Sequence, residues 1–168
     1  MSEQLLSPKM LGYWTEANLR EAPDESGIYC VFRAAKDPET GEMDVQELLY
    51  VGEHRSARHG LQHDGHRDKW HAFPQPEEEI WYAVGLCGST NRERLAAAMI
   101  NAHKPRFNSD SPYLERFPFD DTTVHIYVTA EAVQTANLDK YGPIDVWKHV
   151  GTVEASTSST QINPIPKP

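Results

Sequence analysis

Residues 27–35, GIYCVFRAA, form an almost unbroken run of apolar and β-prone side chains. A strand with one wet face alternates polar and apolar residues. A continuous run predicts a strand covered on both faces and placed inside its sheet. A polar loop with Pro and Gly follows at 36–44, and a second β-prone run stands at 46–51, QELLYV. Two such runs around one loop predict a hairpin, somewhat long in its connection. A third strand is predicted at 80–87, IWYAVGLC.

After it, Ser89, Thr90 and Asn91 offer helix N-caps, and 91–103, NRERLAAAMINAH, reads as a helix whose Leu95, Ala98, Met99 and Ala102 share a face. The helix should stop before Lys104-Pro105, because proline disfavours helical backbone in the residue before it. Residues 12–20 are expected as a short helix capped by Thr15, 53–73 as partly helical, 74–79 as a turn with a solvated acidic run, and 123–129 as a later strand. The segment 131–149 is weakly helical at best. Residues 152–168 are Ser/Thr/Pro-rich and read as a disordered tail, since so few large apolar groups cannot offset ordering entropy. The whole describes a small α+β domain: a mixed or antiparallel sheet flanked by helices, spanning 22–130, with extensions at 1–21 and 131–151 and the tail at 152–168.

No apolar run approaches the ~18 residues of a membrane span. The first residues, MSEQLLSPKM, show no basic region followed by an apolar stretch, so no secretory signal is expected. Cys30 and Cys87 sit in apolar runs and make no CxxC pair, which fits free thiols in a reducing cytoplasm. The net charge of −9 works against a nucleic-acid partner, but it is unevenly spread: residues 1–52 carry −6, residues 53–106 carry +1 and residues 107–168 carry −4. Six of the eight histidines, His54, His59, His63, His66, His71 and His103, also fall in the middle third. Binding to DNA would therefore be weak at physiological salt.

Ser26-Gly27-Ile28-Tyr29, then Leu49-Tyr50-Val51-Gly52, then Met99-Ile100 with Pro105 and Asn108, occur in that order on two adjacent predicted strands and at the end of a helix. Together they resemble the GIY-YIG nuclease superfamily over roughly residues 22–108. The resemblance implies an endonuclease domain that hydrolyses phosphodiester bonds, nucleic acid (DNA first) as its partner, and Mg²⁺ or Mn²⁺ as its cofactor if active. It implies that Tyr29 and Tyr50 line the active site, one of them helping to activate water, with Gly27, Gly52 and Asn108 supporting the site. Such chemistry needs a cation to stabilise the departing oxyanion and a guanidinium to neutralise transition-state charge.

Two positions depart from the pattern. The metal-binding glutamate falls on Ala96, with Glu93 one turn earlier on a similar face. The arginine, counted without gaps, falls on Gly60, which leaves Arg58 as its candidate and Arg55 further off. A histidine a turn after the arginine would be His63 or His59; this i, i+4 pair could also bridge a metal on a helix, though no third ligand stands at a zinc-motif spacing. Two readings follow: an active metal-dependent nuclease, or a degenerate relative that keeps the fold and binds nucleic acid or a protein partner without cutting.

Overall fold

The computed structural model describes residues 4–128 and 144–146. In chain order it contains β1 (Gln4–Leu6), β2 (Lys9–Trp14), a 3-10 turn (Glu16–Glu21), β3 (Gly27–Lys36), β4 (Met43–His54), α1 (Ala57–His63), α2 (Arg67–Ala72), β5 (Glu78–Leu86), α3 (Ser89–His103), two further 3-10 turns (Arg106–Asn108 and Pro112–Leu114), β6 (Thr122–Val124), β7 (Tyr127–Val128) and β8 (Ile144–Val146). The main sheet runs β4-β3-β5-β2-β7, antiparallel except for the parallel pair β2/β7. A small second sheet runs β1-β6-β8, with β1 parallel to β6. The domain is thus a mixed α/β fold.

The predicted hairpin forms: β3 pairs antiparallel with β4, placing Tyr29 opposite Gly52 and Val31 opposite Tyr50. β5 takes the other side of β3, so β3 lies inside the sheet as its apolar run requires. Its two faces feed two cores. Ile28, Cys30, Phe32 and Ala34 pack with Leu95 and Met99 of α3. Tyr29 and Val31 pack with Leu49, Tyr50, Leu61, Trp70, Tyr82 and Val84 on the α1/α2 side. Both faces being buried from Ile28 to Phe32, successive side chains there are apolar or aromatic, and a charge enters only at Arg33, which pairs with Glu47 and Glu78.

α3 begins at Ser89 with Gly88 at its N-cap, two residues before the predicted start, and ends with Lys104 in the left-handed region (φ 48°) before Pro105. Every residue from Leu95 to Ala102 is buried, not one face alone. The run of alanines lets the sheet approach closely, while Tyr113, Leu114 and Phe117 cover the helix from outside. Asn101, fully buried, donates from its side chain to the Tyr113 carbonyl at 2.8 Å.

Elsewhere the expectations shift. The short helix expected at 12–20 starts later and is of the 3-10 type: β2 runs to Trp14, and the helix occupies Glu16–Glu21 with Thr15 at its N-cap, the Thr15 N–H donating to the Asn18 side chain at 2.7 Å. Pairing with β5 and burial of Met10, Tyr13 and Trp14 override local helix propensity. The strand predicted at 123–129 is two short ones, β6 and β7. Of the segment 131–149, only 144–146 is described, as a strand; the predicted tail at 152–168 lies outside the described residues. No helix among the described residues is long and apolar enough to cross a membrane.

Candidate functional site

β4 is an edge strand, and at its outer edge β4, α3 and the segment that follows α3 surround a cleft of about 270 Å³. Tyr29, Tyr50, Gly52, Glu53, Glu93 and Ala96 are among its walls, with Asn108, Asp110 and Tyr113 closing one side. The tyrosines are diagonal neighbours on paired strands, and their ring centroids are 6.3 Å apart. Two glycines make room for Tyr29. A Cβ at Gly52 would collide with the phenol end of its ring, and a Cβ at Gly60 with the ring edge. The ungapped arginine position is therefore occupied by a residue that must have no side chain. Gly27 is similarly constrained, by the carbonyl of Gly85 on the neighbouring strand.

Asn108 grips Val51 from outside the sheet. Its amide oxygen accepts from the Val51 N–H at 2.9 Å and its amide nitrogen donates to the Val51 carbonyl at 3.0 Å. An edge strand presents such groups unpaired, and Asn108 satisfies both.

Behind the tyrosines stands Asp64, on the loop between α1 and α2. The Tyr29 hydroxyl donates to its Oδ2 at 2.5 Å. Its Oδ1 accepts from the His66 backbone N–H at 2.8 Å and faces His66 Nδ1 at 2.8 Å. The His66 ring lies 4.6 Å from that of Tyr50, and its Nε2 is 3.3 Å from Asp110. Burial first, and then Asp64, pushes both phenols well above the ordinary tyrosine range. His66 counted only as one of a histidine-rich group in the sequence, and Asp64 was not singled out at all; the turn-like His63-Asp64-Gly65-His66 was the one hint.

The remaining candidates divide. Glu93 lines the cleft, where the Tyr113 hydroxyl donates to it and burial and that carboxylate push the Tyr113 phenol up to about 12. Arg58 is turned away: its guanidinium pairs with Asp24 at 3.2 Å and donates to the carbonyl of Arg20 at 3.1 Å. Arg55 is exposed on the turn before α1. His63 packs at a tilt on His59 (4.3 Å between centroids), which stacks on His54 (5.0 Å), and none of the three lines the cleft. His63 shares a separate hollow with Arg20, Gln62 and Arg67. Arg92, which sequence reasoning passed over, is bound to Glu53 of the cleft wall at 2.5 Å.

The divalent cation implied by the resemblance finds a poor donor set. Ala96 lines the cleft where a carboxylate is expected, Glu93 is held by Tyr113, and Glu53 by Arg92. Among the described residues no three His, Cys, Asp or Glu side chains form a group that could hold a metal ion. No family model, no curated protein and no solved structure matches this chain.

Proposed function

We propose that this chain is a GIY-YIG-type domain that has kept the cleft between its two motif tyrosines and given up metal-dependent cleavage, using the cleft to bind a partner. The observation that carries the reading is Ala96, a methyl group in the wall where the chemistry needs an anionic metal anchor. Arg58, the candidate for steadying a scissile phosphate, is committed to Asp24 and to backbone carbonyls. Support for the GIY-YIG assignment itself comes from the paired motif strands and from Asn108 bonded to the second motif.

The partner that suits the cleft is a protein segment bearing basic groups. Glu53, Glu93 and Asp110 line it, and the chain as a whole carries −9, so a polyanion would meet repulsion there. A second reading, the metal-dependent endonuclease, is favoured by one observation: Glu93 faces the same cleft one turn from Ala96. A plasmid-nicking assay with Mg²⁺ and with Mn²⁺ separates the two. The binding reading expects no nicking, and no saturable binding of labelled duplex or single-stranded DNA at physiological salt. Metal-dependent nicking by wild-type protein that is lost in Glu93→Ala would establish the second reading instead.

A further inference from the structure

The carboxylates near the cleft differ in one respect. Glu53 and Asp110 are 35% and 72% exposed in their side chains, whereas Asp64 is 6% exposed. A carboxylate so far withdrawn from water needs several donors. Asp64 finds them in the Tyr29 hydroxyl, the His66 backbone N–H and the His66 imidazole. Three elements are tied together at that point: β3 through Tyr29, the α1/α2 loop through Asp64, and, through His66 and its contact with Asp110, the segment that follows α3. The His66 ring in turn packs on Tyr50.

We propose that Asp64 is the positioning residue of the cleft, holding Tyr29 in its protonated form so that Tyr29 serves as a neutral hydrogen-bonding wall of a binding site. This rests on the binding reading given above and deepens it. A tyrosine that activates water must be able to give up its own proton. Beside a buried carboxylate the phenolate is disfavoured twice, by desolvation and by like charge. The single donor of the hydroxyl is spent on Asp64, so what Tyr29 offers a ligand is an acceptor. A bound group must then bring its own N–H or O–H, which agrees with a basic side chain and disagrees with a phosphate oxygen. The loop between α1 and α2 thus places a carboxylate behind the cleft wall and directs it at a tyrosine, not at a metal.

Proton NMR on the full chain at neutral pH and low temperature tests this without reference to activity. A hydroxyl proton donated to a buried carboxylate exchanges slowly and resonates downfield of the amide envelope. Such a resonance is expected in wild type, is lost in Tyr29→Phe, is lost or moved upfield in Asp64→Asn, and survives Glu93→Ala, which removes only the Tyr113 partner. The absence from wild type of any downfield signal that Tyr29→Phe removes would overturn the proposal; signals from the Tyr82 hydroxyl on Glu16 and the Tyr113 hydroxyl on Glu93 would persist in that variant. Absorbance titration at 295 nm gives a second readout should Asp64→Asn fold poorly. In wild type Tyr29 should not ionise near the ordinary value of about 10. If Tyr29→Phe removes a transition there, Asp64 is not holding the proton. Nicking by a wild-type protein that shows the downfield resonance would refute the binding reading and leave the role of Asp64 standing; a missing resonance with no nicking would do the reverse.

Discussion

The side chain of Asn108 replaces a missing strand for Val51, closing both of its outward backbone groups 57 residues away in sequence. Asn108→Ala would orphan a buried N–H and a buried C=O at the second motif. At about 1–3 kcal/mol for each unsatisfied group, the loss should be about 3 kcal/mol in urea unfolding. Asn108→Asp keeps the acceptor and loses the donor, so it should fall between. A loss below about 0.5 kcal/mol for Asn108→Ala would mean water takes over both bonds.

Ala96→Glu should bring a carboxylate to the cleft wall beside Glu93 and so raise affinity for Mg²⁺ or Mn²⁺ above that of wild type. Isothermal titration calorimetry reads this directly. Cleavage should remain at or near background even in that variant, because Arg58 is engaged elsewhere and Asp64 holds Tyr29. Tight metal binding by the wild-type chain would count against the reading.

Gly60 faces the ring of Tyr29, and a Cβ there would also come to 3.0 Å from the Cβ of His54. Gly60→Ala should therefore destabilise by about 1–3 kcal/mol through overpacking, outweighing the ~1 kcal/mol that alanine gains in a helix. In a Tyr29→Ala background the same substitution should become neutral or stabilising. Thermal melts of the four proteins complete the cycle, and an unchanged Gly60→Ala penalty without the ring would refute the packing explanation.

Tyr29, Tyr50 and Tyr82 all titrate above the ordinary tyrosine value in the folded state, chiefly through burial. With the folded value raised, the stabilisation is intact below the unfolded value of about 10 and is lost as pH climbs beyond it, when only the unfolded chain gives up these protons. Each such tyrosine adds up to about 1.4 kcal/mol per pH unit to the fall. Urea midpoints between pH 9 and 11 should drop steeply, and Tyr50→Phe should flatten the slope whatever it does to the midpoint at neutral pH. An unchanged slope would place that phenol in ordinary solvent.

What the sequence makes legible here is what is local or what a motif carries. The β3/β4 hairpin could be read because one polar loop separates two runs whose composition answers to burial on the spot. Asn108 could be read from the closing pattern, although its partner could not. Asp64 could not be found that way. It meets Tyr29 across 35 residues, from a loop whose sequence resembles any turn. The turning away of Arg58 was hidden for a similar reason, since Asp24 and the carbonyl of Arg20 reach it only once the segment before β3 has folded back. Residues 12–14 were misread as helix because the partners that make Lys9–Trp14 a strand lie at 82–86 and 127–128.

That last arrangement sets a schedule for the molecule as it is made. β1 finds its partner only at Thr122–Val124, and the outer edge of β2 only at Tyr127–Val128. A nascent chain that has emerged through α3 can already close β4, β3, β5 and β2, yet it still shows an open strand edge at β2. β1 and the outer edge of β2 are thus made before the strands that secure them, and the interval between the two events is when a growing chain is most exposed to pairing with a neighbour.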